Sequence, residues 1–428
     1  MYYVVNLSQI YYNCRAVANA RSSNQWFNRN DNDDNNNCLV PSKLFISPVF
    51  SMKLDYEDLE QAYCRARRWK LKKPDIIARE QHLEINMKQL YYELCTETYV
   101  ISPTSRYIIQ DPVVRELIVL VFRDRIVQHL IYGYIAPLRE PRFIHDSYSN
   151  RVGKGTLFGI RRVSKWIRWA SGNFRQDAYV MKLDIQSYFL SIDRQILRDI
   201  ITNKIRTKDF ARDKAGVLWI AYQIIFHDYT AGCDDRTSYT QRLLLPLHKS
   251  LWSVPVTQGM PLGNLTSQLF ANIYLHQLDL FVKHDLKIRY YGRYVDDFIL
   301  IHPSKNYLIS CLSQIRDFLS SKLSLILHPH KIYLQNIYKG VKFLWAMIYP
   351  YHRVLSKRII GRGFEIFVSY GDGLSRRRAS FYQWEIQWVS HLYQSRMSYR
   401  GLAMYHECGR VRKRWRDLYI KHHTNNNT

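Results

Sequence analysis

The chain has 428 residues, 47% of them hydrophobic, which suffices for two or three subdomains around sizeable cores and excludes an unstructured polar chain. With 62 Lys and Arg against 36 Asp and Glu, the formal net charge is +26, which points to a polyanionic partner. A merely solubilising role for the charge is the weaker reading, since acidic surplus would solubilise at least as well.

Seven cysteines (14, 38, 64, 95, 233, 311 and 408) are widely spaced, with no Cys-x-x-Cys. This pattern argues against a disulfide framework or a zinc module and implies a reducing cytoplasm. Purely apolar runs such as Leu117 to Phe122 are too short to span a bilayer. The N-terminus lacks a secretory signal pattern. No membrane partner is expected.

Residues 1–50 form an Asn-rich extension: eight asparagines fall between Asn19 and Asn37. So polar a tract cannot order itself alone. Helical periodicity begins near Ser51, with Leu59, Ala62, Tyr63 and Ala66 at i, i+3, i+4 and i+7. The basic run that follows, Arg65 to Lys73, reads as a solvated helix face. Tyr179 to Ile185 is an apolar strand that carries one carboxylate, Asp184. Residues 204–250 read as an insertion with an apolar helix from Val217 to Phe226 and a polar loop. The Asp234-Asp235 pair in that loop is expected to be a solvated turn.

The most informative stretch is Tyr294-Val295-Asp296-Asp297. Apolar and aromatic runs flank the acidic pair on both sides, which predicts a β-hairpin with the acids at its tip. Two carboxylates held side by side repel unless a cation neutralises them. Mg²⁺, which takes oxygen ligands and bridges to phosphates, is the obvious candidate. A solvated Asp-Asp turn is the bland alternative. Asp184 on a neighbouring strand would add a third acid, and three such acids suit two metal ions roughly 3.5–4 Å apart that clamp an in-line phosphoryl transfer. The final segment, 351–428, has 15 Lys and Arg against 5 Asp and Glu. Phe381, Trp384, Trp388 and Leu392 share one helical face there. Arg376, Arg377, Arg378, Arg410, Arg412, Lys413 and Arg414 flank it as a nucleic-acid-binding surface.

These blocks resemble the reverse transcriptases, in the order that family uses. Arg123 to Gln128 resembles its first block. Asp146-Ser147-Tyr148 with Arg151-Val152-Gly153-Lys154-Gly155-Thr156 resembles the second, and the strand around Asp184 the third. Gly259 to Gln268 resembles the fourth, Tyr294 to Asp297 the fifth, and His328-Pro329-His330-Lys331 the sixth. Phe343-Leu344-Trp345 stands where the primer-gripping hairpin belongs. The resemblance covers residue 52 to the C-terminus. It implies an α+β right-hand polymerase fold, with fingers and palm over 51–350 (204–250 being a palm insertion) and a helical thumb over 351–428. The implied activity is RNA-directed DNA synthesis from dNTPs on a template RNA, with the RNA–DNA hybrid held in the cleft. The implied cofactor is a pair of Mg²⁺ ions, replaceable by Mn²⁺, with Asp184, Ile185, Asp296 and Asp297 as the metal set. Lys331 would protonate the leaving pyrophosphate. Arg151 and Lys154 would meet the triphosphate, and Phe189 would exclude a 2′-OH. Leu262, Gly263 and Gln268 would complete the nucleotide site.

The fourth block points to a subfamily. Many members carry Gln-Gly-x-x-x-Ser-Pro there. Aligned on Ser267, this chain has Leu262 at the Gln position and Gln268 at the Pro position. Gly-x-Pro-x-Gly-Asn-x-Thr-Ser-Gln resembles the enzymes of diversity-generating retroelements, which copy RNA with errors at adenines alongside a small basic accessory protein. The alternatives are a phage-defence, group II intron or retron enzyme, or a non-catalytic RNA-binding maturase. The Ser-Pro pair, a further nuclease domain, and the Asn-Ala-x-x-His and Val-Thr-Gly signatures are not found. Three intact acids speak against a dead polymerase.

Overall fold

The computed structural model describes residues 52–68, 70, 74–110, 113–206 and 213–356. The Asn-rich extension and the seven cationic residues from Arg376 to Arg414 lie outside the described residues, as does most of the expected thumb.

Three helices open the described chain: α1 (Tyr56–Arg67), α2 (Pro74–Glu80) and α3 (Leu83–Cys95). The helical period of α1 buries Leu59, Ala62 and Ala66 completely. Its basic run is less solvated than expected, because Arg67 closes on Glu80. Next come strands β1 (Ser105–Ile109) and β2 (Arg115–Val119), an antiparallel pair. Helix α4 (Phe122–Arg139) then packs along α1, burying Ile126, Val127, Leu130 and Ile131.

Helix α5 (Thr156–Ala170) leads into β3 (Tyr179–Asp184). A short turn, α6 (Tyr188–Ser191), precedes α7 (Arg194–Ile205) and α8 (Lys214–Phe226). Asp193 and Asp213 cap the last two by accepting from the first free backbone N–H groups. In the 204–250 segment, helix α8 packs on α7 and α4, and Asp234–Asp235 form a strand, β4, parallel to β1 at the edge of the β1–β2 sheet. The acidic pair is therefore a strand and not a turn, though both residues remain exposed: Asp235 accepts from Arg106 Nη1 at 3.2 Å and from the Thr237 N–H at 3.0 Å. Sequence alone hid this because β4 is only two residues long, and its partner lies over a hundred positions away.

After a short helix α9 (Tyr239–Leu244), helix α10 (Leu265–Leu280) is buried almost all round. Strands β5 (Tyr290–Tyr294) and β6 (Asp297–His302), helix α11 (Lys305–Leu323) and β7 (Tyr333–Asn336) complete the central sheet, ordered β5-β6-β3-β7 and antiparallel throughout. Strand alternation gives the sheet two apolar faces. Met181, Leu183, Phe298 and Leu300 join the core of α10 and α11, whereas Val180, Ile299 and Ile301 join Val163, Trp166 and Ile167 of α5. Gly292 permits that second packing, since a Cβ there would stand 2.4 Å from Tyr148 Oη and 2.9 Å from Trp166. Strands β8 (Val341–Phe343), β9 (Ala346–Ile348) and β10 (Arg353–Leu355) make a separate antiparallel sheet, with the expected hairpin turning at Leu344-Trp345. Residues 353–355 thus pair with that hairpin instead of opening a helical thumb at 351.

Candidate active site at the end of the central sheet

The Tyr294–Asp297 hairpin forms as its sequence predicts: β5 and β6 pair, Tyr294 faces Asp297, and Val295-Asp296 make the turn. On the other side of β6, Asp184 is the register partner of Asp297. All three acids therefore sit at one end of the sheet. Asp184 and Asp297 share the face that carries Lys182, two residues before Asp184.

Two lysines stand against these carboxylates. Lys331 Nζ lies 2.9 and 3.1 Å from the two Asp184 oxygens, and Lys182 Nζ lies 2.9 Å from Asp297 Oδ2. Desolvation first, and the charge of Asp184 second, push the Asp296 carboxyl up to about 7. Asp297 is also raised by burial, with Lys182 opposing the shift. Its second oxygen, Oδ1, is buried and accepts no hydrogen bond.

The donor chemistry fits a hard divalent cation: carboxylate oxygens only, one of them buried and unsatisfied, and a second acid whose charge is disfavoured by its neighbours. No set of three His, Cys, Asp or Glu side chains among the described residues already converges as a metal cage. Lys331 and Lys182 hold two of the acids, and Lys331, with its side chain 54% exposed, is the one free to swing aside. Ile185 has a buried side chain and is bridged to Leu327, and the preceding Asp184 carbonyl accepts from the His328 N–H at 2.8 Å.

The fourth block packs on α6 and β2. Met260 N donates to the Phe189 carbonyl at 2.8 Å, and Ile118 N donates to the Leu262 carbonyl at 3.1 Å. Gly263 adopts φ +105, a backbone that favours glycine, and a Cβ there would stand 3.4 Å from the Ile118 carbonyl. Phe189, Leu262 and strand β2 are thereby joined around one loop. Gln268, half-exposed, lies on the first turn of α10.

Lys154 and Arg151 part company. Lys154 Nζ lies 4.3 Å over the Phe158 ring, and desolvation lowers its pKa. Arg151 turns inward. Its Nε donates to Glu140 Oε2, Nη1 to the carbonyls of Ile144 and Ser147, and Nη2 to the Glu140 carbonyl. Only one of its five N–H groups is left over, which corrects the expectation of a triphosphate contact: this guanidinium shapes the loop that presents Lys154.

Sequence reasoning missed three residues beneath the acids. Arg293 Nη1 donates to the Val295 carbonyl at 2.9 Å, and its Nε and Nη2 bind Asp279. Lys182 was missed as a partner of Asp297. A charge inside an otherwise apolar run is the signal that Arg293, Asp279 and Lys182 share.

The family model described as reverse transcriptase (RNA-dependent DNA polymerase) matches residues 113–347, more than half of the chain. All seven blocks fall inside that range, so the α+β architecture is a right-hand polymerase fold in its fingers and palm. Among curated proteins, the uncharacterized 91 kDa protein in cob intron of Schizosaccharomyces pombe is 25% identical over 162 residues, 38% of this chain and 16% of that protein. Protein YkfC of Escherichia coli is 22% identical over 313 residues, 65% of this chain and 74% of that protein. Among solved structures, telomerase from Candida albicans with a TWJ fragment of telomeric RNA is 10% identical, with a TM-score of 0.45, covering 76% of this chain and 55% of that one. The apo telomerase from Candida tropicalis truncated from the C-terminal domain is 13% identical with a TM-score of 0.42, covering 60% of this chain and 56% of that one. No helix among the described residues is long and apolar enough to cross a membrane.

Proposed function

Because this chain belongs to the reverse transcriptase family of RNA-dependent DNA polymerases, we propose that it copies a template RNA into DNA from dNTPs. The observation that carries this reading is the meeting of Asp184, Asp296 and Asp297 at adjoining strand ends. Two Mg²⁺ ions on these carboxylates, or Mn²⁺ in their place, would steady the charge on the attacking and leaving oxygens. Asp296 and Asp184 are the principal ligands in this reading, with Asp297 in support and Ile185 lending its backbone.

The remaining roles belong to the chain itself. Lys331 neutralises Asp184, and in this reading it would hand a proton to the departing pyrophosphate. Phe189 would pack beneath the sugar and exclude a 2′-OH. Lys154 offers its charge to the triphosphate. Leu262, with Gly263 and Gln268 beside it, gives the base shape and apolar contact without a directional hydrogen bond. That last feature supports membership of the diversity-generating retroelement group, which copies with errors at adenines and works with a small basic accessory protein. The cationic segment containing Arg376, Arg377, Arg378, Arg410, Arg412, Lys413 and Arg414 would grip the hybrid by its phosphates.

The test is Asp296→Asn. DNA synthesis on an RNA template should fall below detection while affinity for an RNA–DNA hybrid is little changed. An Asn variant that still extends primers at the wild-type rate would refute the assignment of the acids.

A further inference from the structure

The outer surface of α5 carries a charge pattern that polymerisation leaves unused. Between Asp146 and Asp177 the chain has seven Lys and Arg and no acid. Arg151 and Arg162 turn inward onto Glu140 and Asp146. Arg161, Lys165 and Arg168 are exposed, at i, i+4 and i+7, on the helix face opposite Ile160, Val163, Ile167 and Ala170.

This basic stripe ends on an exposed indole. Trp169 is 52% exposed, and its ring lies 6.5 Å from that of Tyr290 at an interplanar angle of 37°. Arg289 lies over Tyr290, 5.6 Å from the ring centre. The chain after α5 turns back at Gly172, φ +54, so that Asn173 Oδ1 accepts from Arg168 Nε at 2.6 Å and fixes the guanidinium. Arg168, Trp169, Gly172, Asn173, Arg289 and Tyr290 line an open depression of about 570 Å³ that contains no carboxylate. Tyr290 opens strand β5 and the Val295-Asp296 turn closes it, so the depression is about 16 Å along the strand from the acids.

We propose that this depression is a second nucleic-acid site, for single-stranded RNA, in which an unpaired base stacks on Trp169 while Arg168 and Arg289 meet the flanking phosphates. An exposed aromatic platform between guanidinium groups is the arrangement that unpaired bases use. A duplex presents its phosphates without needing a stacking surface, and an acidic peptide would use the arginines but not the indole. The site would hold template RNA outside the cleft and does not depend on the cleft's chemistry.

The experiment measures binding of a short unstructured fluorescent RNA to the full-length protein, with the cleft saturated by RNA–DNA hybrid. Trp169→Ala should weaken binding about tenfold, and Trp169→Phe should restore most of it. Arg168→Gln should flatten the plot of log K against log[salt] by about 0.7. Primer extension on a short template–primer should stay unchanged in all three. Unchanged RNA affinity in both Trp169→Ala and Arg168→Gln overturns the site. So does a primer-extension rate that falls in step with affinity, or a Glu-rich peptide that displaces the RNA from wild type as well as unlabelled RNA does. Because affinity is read with the cleft filled, failure here leaves the polymerase reading standing.

Discussion

Arg293 donates from Nε and Nη2 to the two carboxylate oxygens of Asp279, at 2.8 and 2.7 Å, and neither side chain meets solvent. The pair links β5 to α10 directly beneath the acidic hairpin. Its third nitrogen holds the Val295 carbonyl. Val295 has φ +57, a left-handed backbone that a β-branched residue adopts at a cost of about 1–3 kcal/mol. The buried guanidinium is what keeps that strained turn, and with it Asp296, in place. A buried ion pair seldom adds net stability over apolar packing, which leaves positioning as its physical use here.

Arg293→Met should therefore destabilise the protein by about 3–5 kcal/mol, because Asp279 is left buried and unpaired. The double variant Arg293→Met/Asp279→Leu should recover a large part of that loss in urea denaturation. It should not recover primer extension, since the Val295 carbonyl still lacks its donor. A double variant with wild-type activity would show that the clamp has no role in placing Asp296.

Lys331 and Lys182 compete with any cation for Asp184 and Asp297. Ion pairs this exposed are worth about 0.2–1 kcal/mol, so Lys331→Ala should tighten Mn²⁺ binding up to about fivefold, read directly by electron paramagnetic resonance. If Lys331 also protonates pyrophosphate, the maximal extension rate should fall in the same variant. Weaker Mn²⁺ binding would mean that the lysine organises the acids instead of competing for them.

Stability should decline in mild acid through His276. Its ring is buried edge-on to Phe143, with Nδ1 lacking a hydrogen-bond partner. Burial lowers its pKa to about 4, with Asp279 opposing and Arg139, Arg293 and Lys204 reinforcing the shift. The folded state thus binds a proton less readily than the unfolded chain, whose imidazole titrates near 6.5. The contribution is complete above about pH 6.5 and is lost as pH falls toward 4, the loss at pH 5.5 being on the order of 1 kcal/mol. His129, lowered to about 3 chiefly by burial, acts in the same direction. Melting curves at pH 7.5 and 5.5 should show a smaller drop for His276→Gln than for the wild type. An equal drop in both would assign the acid sensitivity to other groups.

Fidelity should respond to Leu262. A Gln at this position adds one directional contact, worth about 0.5–1.5 kcal/mol and so a several-fold change in discrimination. Leu262→Gln should lower misincorporation opposite template adenine, with some loss of rate, in an error spectrum on a defined RNA. If the wild type shows no excess of errors at adenine even with a small basic accessory protein of the proposed kind present, the proposed subfamily fails. If it does, and the variant's spectrum is unchanged, the source of error lies away from Leu262.

The two-residue acidic hairpin, the apolar strand ending at Asp184 and the amphipathic helix with Leu59, Ala62 and Ala66 were all legible in the sequence, because local period and turn chemistry determine them. The order of seven short blocks was enough to identify the polymerase family. Long-range partners were not legible. The inward turn of Arg151, the pairing of Asp234-Asp235 with β1, the lysines against the acids and the Arg293–Asp279 clamp each join positions between 11 and 147 residues apart. A charged side chain's partner is set by which strands and helices become neighbours, and burial then makes that partner obligatory. The sequence alone thus singled out the groups proposed to carry the chemistry, and only the tertiary structure decided which of them are held by other side chains.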